Sequence, residues 1–207
     1  MKAPLIAISR HRIATDGVGV TTLVAFHGCP LHCKYCLNPQ CQRTDGIWKE
    51  LSPEELYEEV SVDNLYFQAT NGGICFGGGE PLLYSDFILQ FSKIIPSGWN
   101  ITVETSLNIP LEHLKAVEKV INKYFIDIKD MNPEIYKHYT NKDNQQVTEN
   151  LKYLISNGSR SNICIRLPLI SNFNTEENRK KSEEQLKGMG FSDFDKFNYI
   201  VKENKVL

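Results

Sequence analysis

Three cysteines fall at spacing C-x3-C-x2-C in Gly28-Cys29-Pro30-Leu31-His32-Cys33-Lys34-Tyr35-Cys36-Leu37-Asn38-Pro39. Thiolates suit soft metal centres and reach one from a loop rich in turn residues. Iron–sulfur clusters are held by cysteine thiolates. A four-iron cube capped by Cys29, Cys33 and Cys36 keeps one iron open, and an open position separates a catalytic metal site from a closed structural one. Two other readings stand beside it: a zinc site completed by Cys41, His27 or His32, and three unrelated thiols. Cys41 is read as lying outside the ligand set. Cys75 and Cys164 sit in apolar runs and read as core.

A second motif, Gly77-Gly78-Gly79-Glu80-Pro81, begins 41 residues after Cys36. Three glycines strip side chains from an arc of backbone and let a ligand touch the main chain. The spacing is neither a dinucleotide fingerprint nor a P-loop, and a tight strand-to-helix turn is the alternative. Glu80 reads as a candidate to orient this loop. Asp127 and Lys129 stand two apart in a strand-like run and so share one face. Glu104 and Thr105 offer a carboxylate and a hydroxyl. Arg166, inside Ile-Arg-Leu-Pro-Leu, requires an anionic partner if it points inward, because a buried charge is costly unless paired; a structural salt bridge is its alternative, as a surface ion pair is for Asp127 and Lys129.

The elements that must position these groups alternate. Residues 1–17 read as irregular or as an edge hairpin, and Val18–Phe26 as a strand running into the cysteine loop. Ser52, Pro53 and Glu55 open a helix as capping residues, with Leu56, Val60 and Leu65 as its apolar stripe. Further strands are expected at 73–76, 99–103, 124–128, 163–169 and 194–201. Helices are expected at 84–95, 111–121, from Asn132, at 147–156 with Gly158 as its stop, and at 175–187. Six strands alternating with helices imply parallel βαβ units with right-handed crossovers. A closed eight-unit barrel takes about 250 residues. This chain therefore predicts an α/β fold, an incomplete (β/α)6 TIM-like barrel of parallel strands with outer helices, in one domain over residues 1–207. An open doubly wound sheet is the alternative. The chemistry-bearing residues fall at strand carboxyl ends, where such folds build their sites, except Arg166, which lies within its strand.

The 207 residues are 41% hydrophobic and carry a net charge of −2, which points to no nucleic-acid or membrane partner. No stretch approaches the roughly 20 apolar residues of a membrane span. The opening Met1-Lys2-Ala3-Pro4 lacks a signal-peptide core, so a cytoplasmic location is expected. In that compartment closely spaced cysteines read as metal ligands rather than disulfides.

The cysteine loop, with Tyr35 before its third cysteine, resembles the radical S-adenosylmethionine (SAM) enzymes, and Gly77–Pro81 resembles their G-G-E-P motif. Thr15-Asp16-Gly17-Val18-Gly19-Val20-Thr21-Thr22 leading into the cysteines, and Phe125-Ile126-Asp127-Ile128-Lys129-Asp130-Met131-Asn132, resemble the glycyl-radical enzyme activating enzymes, such as the pyruvate formate-lyase activase. The resemblance implies a [4Fe-4S] cluster on Cys29, Cys33 and Cys36, with SAM chelating the fourth iron. It implies SAM contacts from Tyr35, Cys36, Leu37, Gly77, Gly78, Gly79, Glu80, Glu104, Thr105, Asp127, Lys129 and Arg166, with Gly79 facing the SAM amino group and Lys129 its carboxylate. It further implies reductive cleavage of SAM to a 5′-deoxyadenosyl radical, a glycyl-radical enzyme as protein partner, and an external one-electron reductant such as flavodoxin or ferredoxin. A peptide- or small-molecule-modifying radical SAM enzyme, or the activase of the anaerobic ribonucleotide reductase, is the nearer alternative. A non-catalytic zinc or iron–sulfur protein is the distant one. The chain departs from the activase pattern where Glu104 replaces an aspartate, where Asp16-Gly17-Val18-Gly19-Val20-Thr21 lacks the following arginine, and in having no cysteine-rich insert after Cys36.

Overall fold

The strand that leads into the cysteine loop, β2 (Val20–Phe26), starts a run of parallel strands. The structure is a computed structural model, and it describes residues 1–13, 15–157 and 162–199. The run continues through β4 (Gly73–Gly78), β5 (Asn100–Thr105), β6 (Lys123–Asp127), β7 (Ile163–Leu169) and β8 (Phe194–Asn198), each parallel to the one before. Two antiparallel strands extend the β2 edge: β1 (Ala3–Ile13) pairs with β2, and β3 (Lys49–Leu51) pairs with β1. The sheet order is β3-β1-β2-β4-β5-β6-β7-β8, and among the described residues β3 and β8 are its edges, so the barrel stays open. The six parallel strands match the expected count. Residues 1–17 hold no hairpin of their own: they carry the single strand β1, which pairs with β2 and is covered at the edge by β3, a three-residue strand with no apolar run to announce it.

Helices cross between the parallel strands. α1 (Pro53–Val60) begins with the expected capping box: Ser52 Oγ accepts the Glu55 N–H at 3.2 Å, and Glu55 Oε2 accepts the Ser52 N–H at 2.7 Å. The apolar stripe does not continue as expected, because a 3-10 turn at Ser61–Asp63 separates α1 from α2 (Asn64–Thr70). That turn sends Asp63 inward, where its buried carboxylate takes Arg10, His11 and Thr22 as donors. Leu65 is thereby left 74% exposed, and Phe67 enters the core instead. α3 (Ser85–Ser92) and α4 (Leu111–Val117) stop short of their expected ends. Pro96 disfavours helix at the residue before it, and Ile94 lies at the surface. α5 (Pro133–Thr140) is capped by Asn132, whose Oδ1 accepts the Glu134 N–H at 2.9 Å. α6 (Gln145–Ser156) and α7 (Glu176–Met189) complete the set, and Gly190 closes α7 at φ +105°. The expected helix stop at Gly158 and the strand end at Ile200 and Val201 lie outside the described residues.

β4 is buried along Gly73–Gly77, as a strand covered on both faces must be. Under it, Phe26 stacks on Phe76 with ring centroids 5.5 Å apart, and Phe87 and Phe91 meet these rings edge-on. Burying each such side chain contributes about 1.5–3 kcal/mol. This packing fixes the carboxyl ends of β2 and β4 side by side, with Phe26 opposite Gly78.

Candidate active site

The chain leaving β2 is tied down before its first cysteine. The His27 N–H donates to the Pro4 carbonyl at 2.9 Å, the Gly28 N–H to Cys41 at 3.0 Å, and Tyr84 Oη donates to the His27 carbonyl at 2.8 Å. The Gln42 amide donates to the carbonyls of Cys29 (3.0 Å) and Leu31 (2.7 Å). On the far side, the N–H groups of His32 and Lys34 donate to Thr140 and Tyr139 at the end of α5. A loop with this many backbone partners holds its side chains before any ligand arrives, as a preorganised site requires.

β4 delivers the glycine arc against that loop. The Gly79 N–H donates to the Phe26 carbonyl at 2.9 Å and the Glu80 N–H to the Gly28 carbonyl at 2.8 Å. Gly78 takes φ +96° and lends its carbonyl to the Asn38 amide at 2.9 Å. Glu80 is fully buried. Its carboxylate accepts from Thr105 Oγ1 (2.6 Å), Ser106 N–H (2.9 Å), Ser106 Oγ (2.7 Å) and Leu82 N–H (3.3 Å). Burial still pushes the Glu80 carboxyl above its ordinary range. Glu80 thus ties the end of β4 to the end of β5.

Between these walls lies a cavity of about 440 Å³. Cys29, Cys33 and Cys36 face it from one side, with Leu37, Gly78 and Gly79 beside them. Glu104, Thr105, Asp127, Lys129 and Arg166 face it from the strand ends. Lys129 Nζ stands 3.6 Å from Asp127 Oδ2; burial works against its charge, but Asp127 and then Cys33 outweigh burial and raise its pKa. Arg166 Nη1 donates to Glu104 Oε1 at 2.7 Å and Nη2 to the Thr15 carbonyl at 3.1 Å, while the guanidinium lies over the Phe125 ring. Register explains the row: Asp127, Arg166 and Asp195 are neighbours across β6, β7 and β8.

Three expected site residues do not line this cavity. Tyr35 turns its ring onto Phe173 (5.4 Å) and Tyr139 (6.3 Å), and its hydroxyl takes the Asn172 amide. Gly77 stays within β4, where a side chain would meet Leu23 and Glu104. Glu80 is spent on the β5 turn. Arg12, Asp16, Asp195 and Tyr199, which the sequence reading did not single out, do line it. Arg12 pairs with the buried Asp16, and Thr102 Oγ1 donates to the Asp16 carbonyl at 2.7 Å. Asp16 lies within the stretch that carried the activase resemblance; Asp195 and Tyr199 had no signal of their own, since strand pairing alone brings them in.

The donor set fits an iron–sulfur cube. Cys29, Cys33 and Cys36 line one cavity beside Leu37 and the glycine arc. A cube gives each thiolate its own iron, so its sulfurs line a void rather than meet at a point. Burial pushes the Cys29 thiol up to about 12 and raises Cys33, so ligation as thiolate releases protons. Cys41 is buried and hydrogen-bonds to Cys36, which draws the Cys36 thiol down to about 6. His27 is engaged with the Arg43 carbonyl and His32 is exposed.

The Radical SAM superfamily model matches residues 23–180. The chain is 34% identical over 222 aligned residues to the (2S)-3-sulfopropanediol dehydratase activating enzyme of Klebsiella oxytoca, covering 78% of this chain and 69% of that protein. It is 27% identical over 215 residues to the pyruvate formate-lyase 2-activating enzyme of Escherichia coli strain K12, covering 89% and 73%. Among solved structures it superposes on Streptococcus suis SuiB bound to precursor peptide SuiA with a TM-score of 0.67 at 13% identity, over 88% of this chain and 41% of that one. Coproporphyrinogen III oxidase (HemN) of Escherichia coli gives 0.59 at 18% identity, over 86% and 43%. The chain spans about two-fifths of the length of these solved chains, and at such identities the likeness is one of fold.

Proposed function

The chain belongs to the radical SAM superfamily, and from that premise we propose that it is an activating enzyme which takes a hydrogen atom from one glycine of a partner enzyme. A [4Fe-4S] cluster and SAM are the cofactors of this superfamily. Bound together they supply one-electron reductive cleavage of the SAM sulfonium, yielding methionine and a 5′-deoxyadenosyl radical that takes the hydrogen.

The chain's own residues hold, orient and exclude. Cys29, Cys33 and Cys36 hold three irons. The backbone arc at Gly78 and Gly79 receives the amino end of SAM, and Lys129, kept protonated by Asp127, receives its carboxylate. Glu104 and Arg166 present a fixed pair of opposite charges, with Asp127 beside them, for the polar parts of the nucleotide, and Leu37 and Cys36 close the cluster side. Glu80, Thr105 and Tyr35 act as positioning residues: Glu80 with Thr105 locks the glycine arc, and Tyr35 anchors the cysteine loop on Tyr139 and Phe173. This chemistry needs no general base. The carboxylates that line the cavity stand against cations instead: Glu104 and Asp195 against Arg166, Asp127 against Lys129 and Asp16 against Arg12.

The observation that carries this reading is that the three thiols and the side-chain-free glycine arc face one cavity from adjacent strand ends. Both curated relatives described above bear the name of activating enzymes. On the same reading residues 1–207 act as one domain, the electron comes from flavodoxin or ferredoxin, and the location is cytoplasmic, where thiols stay reduced. No described helix is long and apolar enough to cross a membrane.

The test is anaerobic reconstitution with iron and sulfide, then incubation with SAM, reductant and a candidate glycyl-radical enzyme. A paramagnetic doublet on the partner together with 5′-deoxyadenosine is expected. 5′-Deoxyadenosine without a partner radical would move the reading to a peptide- or small-molecule-modifying enzyme, and failure to take up iron would end it.

A further inference from the structure

The last described strand delivers one side chain to the far side of the cavity. β8 pairs with β7 as far as Asn198 opposite Leu169, and the ladder runs one residue further: the Tyr199 N–H donates to the Leu169 carbonyl at 2.8 Å. The backbone of Tyr199 is thereby fixed to the sheet, and its side chain lines the cavity. Tyr199 Oη donates to the Tyr35 carbonyl at 2.7 Å, 164 positions earlier in the chain. Tyr35 belongs to the loop after β2, and in the sheet β4, β5, β6 and β7 stand between β2 and β8. The bond therefore joins two sides of the barrel mouth directly, without passing along the sheet.

The carbonyl it takes is half of the peptide unit that carries Cys36. Of the three proposed ligands Cys36 is the exposed one, while Cys29 and Cys33 are half-buried. The Cys29 carbonyl is held by Gln42, and Cys33 lies between His32 and Lys34, whose N–H groups are held by the end of α5. The Cys36 N–H donates at 3.2 Å to the Cys33 carbonyl, a bond inside the loop itself. The tie to the Tyr35–Cys36 peptide from outside the loop is the hydroxyl of Tyr199.

The ring of Tyr199 has a second neighbour. Lys129 Nζ stands 6.0 Å from its centroid and 3.6 Å from Asp127 Oδ2. A lysine head rides on a flexible four-carbon stem. It is confined when a carboxylate flanks it on one side and an aromatic face, which attracts a cation within about 6 Å, on the other.

We propose that Tyr199 is a positioning residue with two separable parts. Its hydroxyl holds the Tyr35–Cys36 peptide and so aims the Cys36 thiolate; its ring confines Lys129 where the SAM carboxylate arrives. The inference rests on the reading of Cys29, Cys33 and Cys36 as cluster ligands and of Lys129 as the partner of that carboxylate.

Tyr199→Phe removes the hydroxyl and keeps the ring, and Tyr199→Leu removes both. Asn172→Gly is the control. Asn172 donates to Tyr35 Oη at 3.2 Å, so it holds the same residue by its side chain, and glycine accepts the φ of +68° found there. Amide exchange across residues 33–38 of the cluster-free protein is expected to be about fivefold faster in Tyr199→Phe than in the parent, as loss of one hydrogen bond allows. Iron release to a chelator from the reconstituted protein should quicken by a similar factor. SAM affinity, read by equilibrium dialysis, should be unchanged in Tyr199→Phe and about fivefold weaker in Tyr199→Leu. Asn172→Gly should match the parent in every readout. A tyrosine that served stability alone would move exchange and SAM affinity together in both variants. Parent-like exchange and iron release in Tyr199→Phe, an equal loss of SAM affinity in the two Tyr199 variants, or the same effects in Asn172→Gly overturns the proposal. If the parent takes up no iron while Tyr199→Phe still loosens residues 33–38, the hold of the hydroxyl stands and the reading of the cavity fails.

Discussion

Gly79 packs its backbone directly on that of Gly28: a Cβ at Gly79 would stand 2.0 Å from the Gly28 carbonyl oxygen, and that same oxygen accepts the Glu80 N–H at 2.8 Å. The glycine arc and the cysteine loop are therefore one rigid unit built from two distant stretches of chain. The need for glycine here is steric, before any ligand is considered.

Gly79→Ala must push the cysteine loop away or strain it. Overpacking of this kind costs about 1–3 kcal/mol, and iron and sulfide per chain should fall with it. Gly98→Ala, where a Cβ meets nothing within 4 Å, should change stability by about 0.5 kcal/mol at most. Thermal unfolding and iron analysis of the pair check this; equal behaviour would break the link between arc and loop.

Replacing Cys29, Cys33 or Cys36 by serine should each abolish cluster uptake. Cys41→Ala should retain it, although Cys41 is the nearest buried thiol to Cys36. Iron and sulfide content after anaerobic reconstitution decides, and a Cys41 variant that takes up no iron would add a ligand to the set.

Glu80→Gln puts an amide where only acceptors fit, since the Ser106 and Thr105 groups and the Leu82 N–H all donate to this carboxylate. A donor left facing donors costs about 1–3 kcal/mol. Denaturant unfolding reads the loss, and SAM cleavage should fall with it because the arc loses its anchor.

Asp63 gives a pH dependence remote from the site. Burial alone would raise its pKa, but Arg10, Thr22 and His11 outweigh burial and hold it below the ordinary value. An unfolded aspartate titrates near about 3.9, so the stability Asp63 contributes is complete above that pH and is lost as the pH falls through its lower folded value. Asp63→Asn should lose about 1–3 kcal/mol at neutral pH and show a shallower acid limb in a stability-against-pH series. A limb of unchanged slope would remove Asp63 from the account.

Lys129→Gln should leave iron content unchanged and weaken SAM binding about tenfold, which corresponds to about 1.4 kcal/mol. Equilibrium dialysis with SAM measures it, and unchanged affinity would move the carboxylate to another group.

The alternation of strands and helices was legible because its signals are local. The capping box at Ser52 and Glu55, the Asn132-Pro133 start of α5 and the apolar run Ile163–Leu169 each state their element within a few residues. The end of the α1 stripe was not legible. Leu65 fits a helical period, yet the inward turn of Asp63 toward Arg10, some fifty positions earlier, breaks that period.

The amino-acid sequence by itself determined which chemistry is possible, because three thiols at short spacing and a side-chain-free arc are properties of neighbouring residues. It also determined that these groups fall at strand ends, since strand length and polarity change are written locally. Only the tertiary structure decided which groups face the cavity. It turned Tyr35 into a support, chose between the two roles open to Glu80 by burying it, paired Glu104 with Arg166, and brought in Arg12, Asp16, Asp195 and Tyr199. Those outcomes depend on strand register and on the pairing of β1 with β2 and of β8 with β7, and register is a relation between segments that no single stretch of chain contains.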